Sequence, residues 1–151
     1  MTARKPTRLS AGEVADVARA QIALFRAQAA IWSRPSGGLI DVARDTPAPD
    51  LPGAEALAVR LGRAVHRAAA YGLFRPKCLA RALALKTMLE ERGVRGARLC
   101  VGVRPEGGRL LAHAWVEYGT VVLADRVAHV RGFRRLTELG VVGGSLGRWG
   151  R

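Results

Sequence analysis

Cys78 is the residue of this sequence best suited to nucleophilic chemistry. It follows the link Arg75-Pro76-Lys77 and begins a predicted helix, where free backbone N–H groups and the helix dipole favour a negative charge. A thiolate is such a charge, and the neighbouring lysine favours it further. The position therefore indicates a nucleophilic cysteine. The alternative is a small buried hydrophobic residue, the commoner role of a free cysteine.

His113 is the candidate base for that nucleophile. It lies in the apolar run 111–117, whose alternation predicts a strand with His113, Trp115 and Glu117 on one face. Alanines on either side leave room around the ring, and a buried histidine needs a polar partner. The alternative is a core histidine bonded to a backbone carbonyl.

Asp125 is the candidate that would orient the histidine. If the flanking strands form a tight hairpin centred on Gly119, His113 and Asp125 become cross-strand neighbours with Cβ atoms about 5 Å apart. The carboxylate would then bond one imidazole nitrogen and leave the other for a thiol. A slip of one residue would break this register. The alternative is a turn residue bonded to its own backbone.

The elements that must position these residues follow from the hydrophobic periodicity. The predicted helices span 11–32, 54–70 and 78–91, and the predicted strands span 97–104, 109–118 and 120–125. Ser10 and Glu13 fit a capping box at the start of the first helix. Helices followed by an antiparallel meander predict an α+β fold in which the helix that begins at Cys78 is central.

Composition narrows the classes of function. The chain of 151 residues has 25 Lys and Arg against 12 Asp and Glu, a net charge of +13, which attracts anions in general. The basic residues are spread along the chain and no nucleic-acid-binding motif accompanies them, so nucleic acid is not a favoured partner. No Cys-x-x-Cys or His-rich cluster is present, and neither a metal nor a cofactor is predicted. Cys100 is predicted to be a buried strand thiol.

Location follows from the same features. The N-terminal residues are polar and basic, and no uninterrupted apolar stretch follows them. We therefore predict neither a signal peptide nor a membrane span, and expect a reducing cytoplasm in which both cysteines are free thiols.

The sequence resembles the leader peptidases of lasso-peptide biosynthesis, which are relatives of the transglutaminase-like cysteine peptidases. The close match covers about residues 65–126. The residues that carry it are Cys78-Leu79-Ala80-Arg81-Ala82-Leu83-Ala84-Leu85, Gly93, Val101-Gly102-Val103 and Ala112-His113-Ala114-Trp115-Val116-Glu117.

The resemblance implies a transglutaminase- or papain-like core with a catalytic triad of Cys78, His113 and Asp125. It implies a cysteine protease that removes the leader from a ribosomally made precursor peptide before macrolactam formation by a separate ATP-dependent cyclase. Because the residues before Cys78 are predicted to be helical, the leader-binding protein is expected to be a separate chain. We expect a flexible basic arm at 1–9, one cysteine-peptidase domain at 10–139 and a glycine-rich tail at 140–151.

Three other hypotheses stay open. The same triad serves transglutaminase-like acyl transfer to an amine instead of water. A basic chain without catalysis would bind nucleic acid or act as a scaffold for precursor and cyclase. His129 is a weaker alternative to His113 as the base.

Overall fold

The structure is a computed structural model that describes residues 8–33 and 50–136. Of the predicted basic arm only residues 8 and 9 fall within these ranges, and the predicted glycine-rich tail lies outside them. The arm, the tail and the domain boundaries stay predictions.

Three helices form the N-terminal half of the described chain. They are α1 (Ala11–Ser33), α2 (Ala54–Tyr71) and α3 (Cys78–Glu91), so the predicted helices are confirmed with ends displaced by one residue at most. The predicted capping box begins α1. The backbone N–H of Ser10 donates to the Glu13 carboxylate at 2.9 Å, and the backbone N–H of Glu13 donates to the Ser10 hydroxyl at 3.3 Å.

The helices share an apolar core and one buried carboxylate. Asp16 on α1 is fully buried, and a buried charge is stable only when it is paired. Its oxygens lie 2.6 Å from Arg60 on α2, 3.2 Å from Arg92 after α3 and 3.4 Å from Arg19. These ion pairs hold the three helices at the end of α3 that lies away from Cys78.

A four-stranded sheet packs against the helices. The strands are β1 (Ala97–Glu106), β2 (Arg109–Tyr118), β3 (Val121–Leu123) and β4 (Arg134–Arg135), in the order β3-β2-β1-β4, with a short helix α4 (Val127–Val130) after β3. All pairings are antiparallel, which confirms the predicted α+β class. Both α4 and β4 are too short to produce a periodic signal, and neither was predicted.

The expected hairpin register about Gly119 is wrong by one residue. The observed pairs are Tyr118↔Val121 and Val116↔Leu123, so a two-residue turn joins the strands. Gly119 has φ +57°, a left-handed conformation that such tight turns require and glycine adopts without cost. The third strand also ends at Leu123 rather than at residue 125, so the ladder does not reach Asp125.

The two faces of the sheet have different neighbours. Ala114 and Val116 of β2 belong to the core that the helices fill. His113, Trp115 and Glu117 alternate with them and share the other face, as predicted, where Phe133 packs against His113. The segment after β3 therefore covers the back of the sheet. Because β3 pairs with β2 only as far as Val116, His113 lies at an open edge of the sheet and is also accessible from the side of Cys78. In the parts of the chain described here, no helix is long and apolar enough to cross a membrane.

Candidate active site

Cys78 is the first residue of α3, where it was predicted. Lys77 precedes it in an extended conformation and provides no side-chain cap. The first intrahelical bond runs from the N–H of Arg81 to the carbonyl of Lys77 at 3.1 Å, so the first-turn N–H groups have no helical acceptor. The thiol is free and half-buried, and these N–H groups favour an anion beside it.

His113 and Asp125 are directly hydrogen-bonded. Nε2 of the imidazole lies 2.5 Å from Oδ2 of the carboxylate, and both side chains are more than four-fifths buried. The other carboxylate oxygen, Oδ1, accepts the backbone N–H of Arg126 at 2.7 Å. Asp125 is therefore both a turn residue bonded to its own backbone and the partner of the histidine. With Nε2 engaged, Nδ1 is the ring nitrogen left for a thiol.

A left-handed residue, not the strand register, brings Asp125 to His113. Continued pairing in the observed register would set residue 126 opposite His113. Instead Ala124 has φ +58°, a conformation that costs a non-glycine residue about 1–2 kcal/mol. The chain turns there and directs the Asp125 side chain to the histidine. The predicted contact is present, but the predicted reason for it was wrong.

Arg81 holds this strained turn and was not singled out from the sequence. Its Nη2 donates to the carbonyl oxygen of Ala124 at 2.9 Å. Arg81 lies three residues after Cys78, nearly one helical turn, so the two share a face of α3. That spacing of three residues is the sequence feature from which a role for Arg81 near the site could have been predicted. The bond connects the helix that begins at Cys78 to the loop that carries Asp125.

Several side chains pack around the His113 ring and support it. The Trp115 ring stacks near His113 with centroids 5.9 Å apart, and its Nε1 donates to Glu117 at 2.8 Å. Glu117 is buried and accepts two bonds from Arg135, at 2.7 and 2.8 Å. His129 also packs against the His113 ring, edge to face at 4.7 Å. The orientation of the imidazole is thus fixed from several sides.

Cys78, His113 and Asp125 line one small pocket together with Arg81. Its free space is about 20 Å³, enough for a single water molecule. In the described part of the chain the Cys78 thiol forms no hydrogen bond with the imidazole. Such contacts are often loose without substrate and tighten when it binds. The arrangement provides a thiol at a helix start, a free imidazole nitrogen and an orienting carboxylate.

Cys100 has the properties of an ordinary structural thiol, although it is half-buried and not fully buried as predicted. Its position in β1 faces Trp115 of β2. Burial, followed by the negative charge of Glu117, raises the pKa of Cys100 to about 11. A thiol that stays protonated at neutral pH is a poor nucleophile.

The comparisons with known proteins agree with this fold and site. The family model of the transglutaminase-like superfamily matches residues 21–138, well over half of the chain. The chain therefore belongs to the transglutaminase-like superfamily, whose members are generally cysteine proteases or transferases. No curated protein and no solved structure matches the chain.

Proposed function

We propose that this protein is a cysteine peptidase in which Cys78 is the nucleophile, His113 the general base and acid, and Asp125 the group that orients His113. The observation that carries the proposal is the 2.5 Å pair between His113 Nε2 and Asp125 Oδ2, in a pocket that Cys78 also lines. With Nε2 bound to Asp125, Nδ1 is the nitrogen that remains for proton transfer with the thiol. A base held by a third group beside a nucleophile is the arrangement that acyl-transfer catalysis needs.

The proposed reaction proceeds through a thioester. The Cys78 thiolate attacks the scissile carbonyl, and His113 holds the thiol proton on Nδ1. His113 then gives this proton to the leaving amine, and the acyl group remains on sulfur. A water molecule, activated by the same nitrogen, hydrolyses the thioester and restores the thiol. The Nε2–H group donates a hydrogen bond to the Asp125 carboxylate throughout, which keeps the imidazole in the useful tautomer.

The start of α3 supplies an oxyanion donor. The backbone N–H of Cys78 has no intrahelical acceptor, and Lys77 provides no cap that would occupy it. Such a fixed donor stabilises the negative oxygen that develops during attack on a carbonyl. This role supports acyl-group chemistry at Cys78 rather than a purely structural cysteine.

The more specific proposal is that the peptidase removes the leader from a lasso-peptide precursor. It is supported by the resemblance of the runs Cys78–Leu85 and Ala112–Glu117 to the leader peptidases of that pathway. The helices α1 and α2 pack into the same core as α3 and form no module of their own. We therefore propose that a separate protein binds the leader, and that an ATP-dependent cyclase acts on the freed core peptide.

Acyl transfer to an amine is the second candidate, because the superfamily includes transferases as well as proteases. Both reactions share every step up to the thioester and differ in the acceptor. The resemblance of the runs Cys78–Leu85 and Ala112–Glu117 to leader peptidases favours hydrolysis. The acceptor is thus the property that an experiment must determine.

The test is digestion of a lasso-type precursor peptide, with and without a leader-binding protein, in the presence of methylamine. We expect one cut at the end of the leader with a free carboxylate, lost in Cys78→Ala and kept in Cys100→Ala. A leader that ends in a methylamide instead of a free carboxylate would contradict the peptidase proposal and support the transferase. Equal cutting by wild type and Cys78→Ala would contradict both.

A further inference from the structure

A wide cleft adjoins the small pocket that contains the candidate triad. Its volume is about 1020 Å³, and it shares Arg81, Leu123, Ala124 and Asp125 with that pocket. Helix α2 forms one wall, and β3 with the start of α4 forms the other. The pocket itself has room for one water, so a polypeptide chain that reaches it must lie in a neighbouring space such as this cleft.

The walls of the cleft are strongly basic. Five arginines and two histidines line it, whereas Asp125 is its one carboxylate and is bonded to His113. Arg67 and Arg104 have carboxylate partners, at 3.4 and 2.9 Å. Within residues 8–33 and 50–136, Arg63 and Arg126 have no such partner. They stand on opposite walls, one on α2 and one directly after Asp125.

The apolar lining of the cleft favours a peptide over a single-stranded nucleic acid. Val59, Val121 and Val122 line the cleft, and each is partly exposed. No Phe, Tyr or Trp is among its lining residues in the described chain, whereas single-stranded nucleic acids are bound by stacking on such rings. Apolar side chains in the same cleft as the guanidinium groups of Arg63 and Arg126 match an extended peptide that has both apolar and acidic side chains.

We propose that this cleft binds an acidic segment of the peptide substrate beside Cys78, with Arg63 and Arg126 pairing its carboxylates. The inference rests on the proposed peptidase function, for which it names the substrate class. The cleft would select peptides with Glu or Asp near the cut and hold them on the side of the site where Asp125 lies.

Binding can be measured apart from catalysis in the Cys78→Ala protein. The probes are a fluorescein-labelled peptide of alternating Glu and Ala, its counterpart with Gln in place of Glu, and a labelled oligothymidylate of equal length. We expect the Glu peptide to bind more tightly than both others in fluorescence anisotropy. Equal binding of the Glu and Gln peptides, or tighter binding of the oligonucleotide, would overturn the proposal.

A pair of charge-matched variants locates the binding. Arg63→Gln with Arg126→Gln should weaken binding of the Glu peptide about tenfold. The control pair, Arg26→Gln with Arg95→Gln, removes the same charge from exposed arginines outside the cleft. It should change the affinity for the Glu peptide less than about twofold. Equal weakening by both pairs would mean attraction to the net positive charge alone and would overturn the cleft assignment.

The two proposals can fail separately. Cysteine-dependent cleavage without discrimination between the variant pairs would refute the cleft and leave the peptidase. Selective binding of the Glu peptide, in a protein that hydrolyses no peptide, would refute the peptidase and leave the cleft as an acidic-peptide site.

Discussion

The Nη2 of Arg81 donates a hydrogen bond of 2.9 Å to the carbonyl oxygen of Ala124. Arg81 shares a face of α3 with Cys78, and Ala124 is the left-handed residue that turns the chain towards His113. One hydrogen bond therefore joins the helix of the proposed nucleophile to the loop of the proposed orienting acid. If the triad acts as proposed, Arg81 is a positioning residue.

Loss of this bond should slow catalysis more than it affects folding. We expect Arg81→Ala to lower kcat about 10²-fold, because small displacements of a catalytic group cost that much. Arg81→Lys keeps the charge and a donor on a shorter side chain, and should recover part of kcat. Steady-state kinetics and thermal unfolding of both variants are the measurements. A normal kcat in Arg81→Ala would contradict the positioning role, as would a loss of kcat that unfolding of the variant accounts for.

Asp125→Asn tests the partner of His113. An amide cannot stabilise the imidazolium, and it permits the wrong tautomer, so kcat should fall by about 10²–10⁴-fold. Glu91→Gln removes a carboxylate from an exposed position on α3 and should leave kcat unchanged. If Asp125→Asn retains wild-type kcat, Asp125 serves only as a turn residue, through its hydrogen bond with the backbone N–H of Arg126.

The buried Glu117 should matter for stability. Its side chain is 6% exposed and depends on Arg135, so Arg135→Ala would leave a buried charge with a weaker set of partners. We expect the free energy of unfolding to fall by about 2–3 kcal/mol, less than for a fully buried pair because Arg135 is one-third exposed. Urea unfolding measures this. Glu117→Gln combined with Arg135→Ala removes the buried charge, keeps an acceptor for the Trp115 N–H group, and should restore part of the loss. A double variant less stable than Arg135→Ala would contradict the explanation.

Gly102 should be intolerant of any side chain. A Cβ there would lie 2.9 Å from the Trp115 ring, 2.9 Å from the Arg134 carbonyl oxygen and 3.0 Å from the Phe133 Cβ. Gly102→Ala should destabilise the fold by about 1–3 kcal/mol and displace the ring that supports His113. Gly12→Ala, in helix α1 with ordinary contact distances, is the control and should not destabilise. Equal unfolding midpoints for both variants would refute this packing.

Most of the fold followed from periodicity. The helices are long enough to show an apolar face, and the alternation of β2 predicted the common face of His113, Trp115 and Glu117. The third strand was predicted too long because an apolar run does not mark where pairing ends. The elements α4 and β4 are set by tertiary contacts and have no local signal.

The contact between His113 and Asp125 was predicted from a register that the structure does not have. Sequence periodicity cannot show that Ala124 adopts a left-handed conformation, since alanine has no preference for it. That conformation is accompanied by the hydrogen bond from Arg81, which lies 43 residues away in the sequence. The hydrogen bonds that link Arg135, Glu117 and Trp115 likewise depend on β4, which was not predicted.

The central claim is that Cys78 is a nucleophile activated by His113. Its most direct test is iodoacetamide labelling at about pH 6, with the labelling of both cysteines measured by mass spectrometry. Cys100 is the internal reference, since its pKa of about 11 leaves it protonated at that pH. The proposed peptidase predicts rapid labelling of Cys78, at least about 10²-fold faster than Cys100, and slower labelling of Cys78 in His113→Ala. Slow and equal labelling of the two cysteines would contradict a nucleophile activated by His113.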